Sequence, residues 1–190
     1  MSEAIRYEKD SDNIVVLTMD APGQSANTMN ETYKTSMDEC IDRLEKEENL
    51  AGVVLTSAKK TFFAGGDLNE LVKATPEVAQ EFMDGVTAIK AQLRRLEMIK
   101  APVVAAINGA ALGGGYEICL ACNHRIAIND RKTKIGLPEV TLGLLPGGGG
   151  VVRLTRLLGF EAAAPFLMEG KQVNPEAALK AGLIHELADD

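Results

Sequence analysis

Two glutamates and three glycine-bearing turns are the parts of this sequence that could do chemistry. Glu117 follows an apolar run that closes in a glycine triplet, Asn108-Gly109-Ala110-Ala111-Leu112-Gly113-Gly114-Gly115-Tyr116-Glu117. Without a Cβ, glycines let backbone N–H groups approach a ligand, and a helix starting there turns its positive end toward an anion. Glu139 stands in Gly136-Leu137-Pro138-Glu139, ahead of Gly143-Leu144-Leu145-Pro146 and the glycine run 147–150. A third turn, Phe62-Phe63-Ala64-Gly65-Gly66-Asp67, ends in an aspartate placed to cap a short helix. Amide donors beside carboxylates can stabilise developing negative charge and move protons. Each feature has a plainer reading when taken singly. A glycine-rich loop can be a tight turn, and each glutamate can cap a helix or pair with Arg125 or Arg153.

The elements that must position these groups alternate in type. Asn13 to Met19 is β-branched and apolar, and Val53-Val54-Leu55-Thr56, Val103-Val104-Ala105-Ala106-Ile107 and Arg125-Ile126-Ala127-Ile128 repeat that character. Tyr33, Met37, Ile41 and Leu44 recur at helical spacing, and Thr28 with Glu31 has the spacing of a capping box, predicting a helix from near Met29 to Glu48. Phe82, Val86, Ile89, Leu93 and Leu96 mark a second helix, opened by Thr75-Pro76 and ended before Pro102. Beyond Gly150 the pattern is helical: Val151 to Leu158, Glu161 to Met168, and a helix opened by Asn174-Pro175-Glu176 and closed by Gly182. Strands separated by amphipathic helices predict an α/β chain with right-handed crossovers.

Composition narrows the function. The 190 residues fit one domain with a sizeable core; 46% are hydrophobic and 25% charged, and no apolar run approaches the length of a membrane span. The start, Met1-Ser2-Glu3-Ala4, has no apolar signal core, making a cytoplasmic location the expectation. A net charge of -7 disfavours nucleic acid as a partner, so an acidic ligand must be met locally, with Lys59 and Lys60 the best-placed pair. Cys40, Cys119 and Cys122 are an odd number, so no disulfide framework is expected. Cys119 and Cys122 form a lone CxxC inside an apolar run, which reads as helix packing, and no metal site is expected.

The three loops, in this order and at these spacings, resemble those of the crotonase (enoyl-CoA hydratase/isomerase) superfamily, and the resemblance spans most of the chain. It implies a crotonase-like spiral of ββα units with C-terminal helices, filling residues 1–190 as one domain. The stretch Pro22-Gly23-Gln24-Ser25-Ala26-Asn27-Thr28-Met29-Asn30 resembles the N-terminal hydratase part of multifunctional fatty-acid-oxidation α-subunits, and stand-alone hydratases continue past the position of Asp190. The expectation is therefore a domain excised from a longer multifunctional protein.

The resemblance further implies hydration of trans-2-enoyl-CoA to 3-hydroxyacyl-CoA in fatty-acid β-oxidation. Glu117 would bind and orient the water, and Glu139 would be the principal acid/base. The backbone N–H groups of Gly66 and Gly114 would hold the thioester oxygen. Lys60 would approach the coenzyme A phosphates and the Ala64 backbone would lie where adenine is read, while Asn69 departs from a second lysine that stand-alone hydratases often carry. The glycine run 147–150 would let its helix approach the acid-bearing loop rather than hold phosphate. Coenzyme A enters as part of the substrate; no separate cofactor is expected, and no NAD site, since no GxGxxG follows a strand. Retaining both acids favours a hydratase, with Δ3-Δ2-enoyl-CoA isomerisation as the alternative on the same enolate. A non-enzymatic alternative is an acyl-CoA-binding domain made inactive by missing C-terminal helices. A nucleotide-binding oxidoreductase is opposed by the absence of Walker A and Rossmann spacings. Oligomerisation is compatible with all of these. Leu71, Val72, Leu142 and Leu144 are the candidates to line an acyl pocket.

Overall fold

Short β-branched runs separated by amphipathic stretches read as parallel strands joined by helical crossovers. The computed structural model, which describes residues 4–67, 71–73 and 75–189, has that architecture. One six-stranded sheet has the order β1-β2-β3-β4-β6-β9, formed by Ile5–Lys9 (β1), Ile14–Met19 (β2), Gly52–Ser57 (β3), Val103–Ile107 (β4), His124–Ile128 (β6) and Glu186–Ala188 (β9). All neighbours are parallel except β1 against β2, a hairpin in which Ile5 faces Met19. Val15, Leu17, Val53, Leu55, Val103 and Ala105 point to one buried face, as period-2 alternation requires.

A second layer of very short strands lies beyond the first. Ala111–Leu112 (β5) pairs in parallel with Ile135–Gly136 (β7), which pairs antiparallel with Gln172–Val173 (β8). Single bridges extend the layer, Phe63 to Ala111 and Met29 to Gly66. Each long strand is thus followed by a short extended segment stacked on that of the next turn, giving the crotonase-like spiral of ββα units that the loops led one to expect.

The helices are Glu31–Leu44 (α1), Ala79–Glu97 (α2), Gly114–Ala121 (α3), Gly150–Leu158 (α4), Phe160–Met168 (α5) and Pro175–Lys180 (α6), with 3-10 turns at Pro76–Val78 and Pro138–Leu142. Helix α1 begins later than the Thr28–Glu31 capping box predicts. Its N-cap is Asn30, whose side chain accepts from the Tyr33 N–H, because the Met29 N–H is committed to the Gly65 carbonyl at 2.9 Å and holds that residue extended. Helix α6 is capped by Asn174 as its sequence predicts. Cys119 and Cys122 lie in and just after α3, buried, each thiol against a carbonyl four residues earlier. Tyr33, Met37 and Ile41 from α1 and Leu93 and Leu96 from α2 pack with Phe62, Phe63 and Tyr116 in one core.

Asn27 joins the two layers. It is 2% exposed; its amide accepts from the Ala21 N–H at 2.9 Å and donates to Ser57 Oγ at 2.8 Å, and its own carbonyl accepts from the Ala64 N–H at 2.9 Å. Truncation leaves buried donors and acceptors stranded, each costing about 1–3 kcal/mol. Asn27→Ala is therefore expected to lose about 2–4 kcal/mol of unfolding free energy in urea titrations, and a loss under about 0.5 kcal/mol, the size of an ordinary surface substitution, would contradict this account.

Candidate active site

The second layer brings the three glycine-bearing loops to one place. The Phe63 N–H donates to the Ala110 carbonyl and the Leu112 N–H to the Phe63 carbonyl, while the Gly113 N–H donates to the Gly136 carbonyl at 3.0 Å. These bonds lay the loop of residues 62–67 on one side of the glycine triplet and the segment leading to Glu139 on the other. The contact requires glycine. A Cβ on Gly115 would sit 2.5 Å from the Phe63 carbonyl oxygen, and Gly113 has φ 55°, a left-handed conformation that side chains rarely adopt.

Between these loops and the first half of α2 opens a cleft of about 760 Å³, large enough for a drug-sized ligand. Gly66, Gly114, Glu117, Glu139 and Ala64 all line it. Among the described residues the Gly66 and Gly114 N–H groups have no hydrogen-bond acceptor. Gly114 opens α3, where the first amides lack intrahelical partners, so its N–H is available to a ligand. Lys60 stands apart, exposed, at the start of the loop and outside the lining, while the neighbouring Lys59 is tied to Asp20 at 2.8 Å. Asn69 lies outside the described residues, as do the three residues that follow Asp67, so the cap expected there is not described; the Leu71 N–H does donate to the Asp67 carbonyl.

The two glutamates come from different elements and differ in surroundings. Glu117, in the first turn of α3, is 3% exposed and accepts the Gly150 N–H at 2.7 Å. The glycine run wraps it: a Cβ on Gly148 would lie 2.9 Å from Oε2 and one on Gly150 2.9 Å from Oε1. Burial pushes the Glu117 pKa up, opposed by the amides of residues 148–150 and by Arg153. Neither Arg125 nor Arg153 pairs with either acid; Arg125 is held by the carbonyls of Leu183, Cys119 and Cys122. The cradle that a phosphate could have used is filled by the protein's own carboxylate.

Glu139 sits in the 3-10 turn Pro138–Leu142, half-buried, with Oε2 buried and lacking a partner among the described residues. Its other oxygen is 3.0 Å from where a Gly113 Cβ would stand, so the bare triplet leaves it room. Burial pushes its pKa up to about 7, opposed by a bond from its own backbone N–H and helped by the charge of Glu117. The pair is therefore asymmetric: one carboxylate is held by the amides of a helix start, the other is bonded only by its own backbone N–H and keeps one oxygen without a partner among the described residues.

Of the apolar candidates, Leu71, Leu142 and Leu144 line the cleft, whereas Val72 is 80% exposed and does not. Phe82, Val86 and Ile89 also line it, although their spacing reads as a core stripe. Of this stripe Leu93 and Leu96, further along α2, are buried in the core and Ile89 packs partly against it, so a stripe longer than the core it serves was the available signal.

A family model described as enoyl-CoA hydratase/isomerase matches residues 9–189. The fatty acid oxidation complex subunit alpha of Shewanella frigidimarina is 40% identical over 98% of this chain, and that of Idiomarina loihiensis is 40% identical over 97%. The chain spans 26% of the length of each. Among solved structures, an enoyl-CoA hydratase from Bacillus anthracis aligns with a TM-score of 0.88 at 31% identity, covering 98% of this chain and 70% of that one. One from Geobacillus kaustophilus aligns with a TM-score of 0.90 at 27% identity, covering 100% and 69%.

The raised Glu139 pKa has a consequence for stability. Its value of about 7 in the folded protein lies above the 4.5 of an unfolded glutamate, so folding binds the proton more tightly. The protonated group's contribution is full below 4.5 and is lost as pH rises through about 7. Glu139→Gln, neutral throughout, is expected to gain stability relative to the parent as urea unfolding is repeated from acid to mildly alkaline pH. A difference that stays constant across that range would contradict the assignment.

Proposed function

Since the chain is an enzyme of the enoyl-CoA hydratase/isomerase family, we propose that it hydrates trans-2-enoyl-CoA thioesters to 3-hydroxyacyl-CoA in fatty-acid β-oxidation. The observation that carries this reading is the convergence, in one cleft, of two amides without acceptors and two unlike carboxylates.

The β-carbon of an enoyl thioester becomes electrophilic as its carbonyl oxygen takes up charge. The N–H groups of Gly66 and Gly114 receive that oxygen, a preorganised pair of donors of the kind whose individual removal costs about 10²–10³ in rate. Water lies between the acids. Glu117, with the Gly150 N–H stabilising its ionised form, orients the water and takes its proton. Glu139, whose burial outweighs the one donor it has, its own backbone N–H, holds the pair's proton and delivers it to the α-carbon of the enolate. Phe82, Val86 and Ile89 receive the acyl chain along α2. Coenzyme A lies toward the exposed Ala64 backbone, with Lys60 at the loop's outer end as the cation nearest its phosphates.

The active form is the singly protonated pair. Because hydration neither consumes nor releases a proton overall, the same form serves the reverse reaction with the proton on the other acid. Loss of enoyl-thioester absorbance of crotonyl-CoA tests the proposal. Glu117→Gln and Glu139→Gln are each expected to lower kcat by about 10²-fold or more. In the parent, kcat/KM should fall as pH rises above about 7, where the proton on Glu139 is lost. Turnover that survives both substitutions would remove the two acids from the mechanism.

A further inference from the structure

Glu117 is faced by few charges. Glu139 approaches from the 3-10 turn and Arg153 from α4; behind Arg153 stand Glu97 and Arg94 of α2, and on the β6 side Arg125 is occupied by carbonyls. Arg153 is the group whose placement the fold alone does not explain. It lies in the first turns of α4, where the helix dipole disfavours a cation. Its side chain is 13% exposed, and its Nε is buried without a partner among the described residues. Its guanidinium folds back over the start of its own helix. Nη1 donates to the Gly148 carbonyl at 3.0 Å and Nη2 reaches Glu97 Oε2 at 3.3 Å, while a Cβ on Gly149 would collide with Nη1.

A cation at this end of a helix is favourable when an anion lies against the same end, and Glu117, bonded to the Gly150 N–H, is that anion. We infer that Arg153 is a positioning residue of this site: through Gly148 it holds the glycine run that grips Glu117, and its guanidinium is the counter-charge that keeps Glu117 ionised beside Glu139. Gly148 holds the guanidinium in place at 3.0 Å, and Glu97 of α2, at 3.3 Å, draws on part of its charge, so the wall of the cleft and the electrostatics of the acid pair are set by one chain of contacts. The direction of Arg153's influence on Glu117 agrees, since it favours the charged form.

This inference rests on the proposed hydration for its kinetic readout, and a second readout does without turnover. In Arg153→Gln, Glu117 binds a proton more readily, so kcat/KM on crotonyl-CoA should fall at least about tenfold more at pH 5.5 than at pH 8. Arg153→Lys, which restores the charge, should keep the parent's ratio between the two pH values within about threefold. A loss in Arg153→Gln that is equal at both pH values, in a protein with parent-like melting, would make Arg153 merely structural and overturn the inference. Independently, the Glu117 titration can be followed by carboxyl ¹³C NMR in a Glu139→Gln background. There its midpoint should rise on adding Arg153→Gln, and an unmoved midpoint overturns the inference whether or not the parent is a hydratase. An inactive parent with a shifted midpoint would sink the proposed reaction and leave this assignment standing. Should Arg153→Gln fail to fold, Glu97→Gln replaces it: with the anion that neutralises Arg153 removed, the midpoint should fall, and a midpoint unmoved or raised counts against the inference.

Discussion

A carboxylate almost wholly withdrawn from water must be given donors or it will not stay charged, and Glu117 sets that demand at the centre of this molecule. The Gly150 N–H answers it in part at 2.7 Å, against the burial that still raises the pKa, and the surroundings follow. Helix α4 has to start at the carboxylate, so that its free amides point there. Residues 148 and 150 have to be glycine, because a Cβ on either would press on the carboxylate oxygens. Helix α3 has to present Glu117 in its first turn, where its own dipole also favours an anion. Two helix starts therefore meet at one acid. The glycines in this region are explained by close approach rather than by flexibility.

That meeting depends on the short strands of the second layer. None is long enough to be stable by itself, and each is defined by hydrogen bonds to a segment far away in sequence. Their order stacks the loop of residues 62–67, the triplet 113–115 and the turn carrying Glu139 as neighbours. The six-stranded sheet supplies the rigid base and the second layer the register. Asn27 links them by bonding to Met19 and Ser57 below and Phe62 above, so loop position is specified by a buried polar network and not by apolar packing alone.

The main strands and helices were legible because their patterns are local. Periodicity and capping signals placed β2, β3, β4, β6 and the bodies of α1, α2, α4, α5 and α6 to within a few residues, and the glutamates stood out by their glycine and proline neighbours. What escaped was decided by partners. Strands β5, β7 and β8 carry two residues each and no alternation to read. The start of α1 moved to Asn30 because Met29 pairs with the Gly65 loop, a contact that no capping pattern contains. Strand β1 was missed because Arg6, Glu8 and Lys9 give it the composition of an exposed edge. The stripe along α2 was read correctly as apolar, but half of it faces the cleft, and periodicity does not distinguish a face that packs from one that waits for a ligand. Arg153 was visible only as a salt-bridge candidate, since nothing local tells that an arginine folds back across its own helix start.

The asymmetry of the two acids follows from where each stands relative to these helix starts. Had both been ringed by amides, both would ionise at neutral pH and neither could donate a proton; had both been dry, their mutual repulsion would leave the pair too protonated to accept one. The donors available to Glu117 are oriented by α4, whereas Glu139 sits in a short 3-10 turn whose capping Gly143 N–H turns back to the carbonyls of Glu139 and Val140, leaving its carboxylate only the N–H of its own residue. Nothing is left over for the Glu139 Oε2, and burial without compensation destabilises the folded state. That local cost is of the kind functional sites carry, offset here by the core beneath them. The uncompensated oxygen and the compensated carboxylate are two results of one placement, the start of α4 against the start of α3, and a change that supplied the free Glu139 oxygen with a donor would stabilise the fold while narrowing the difference on which the proposed proton transfer depends.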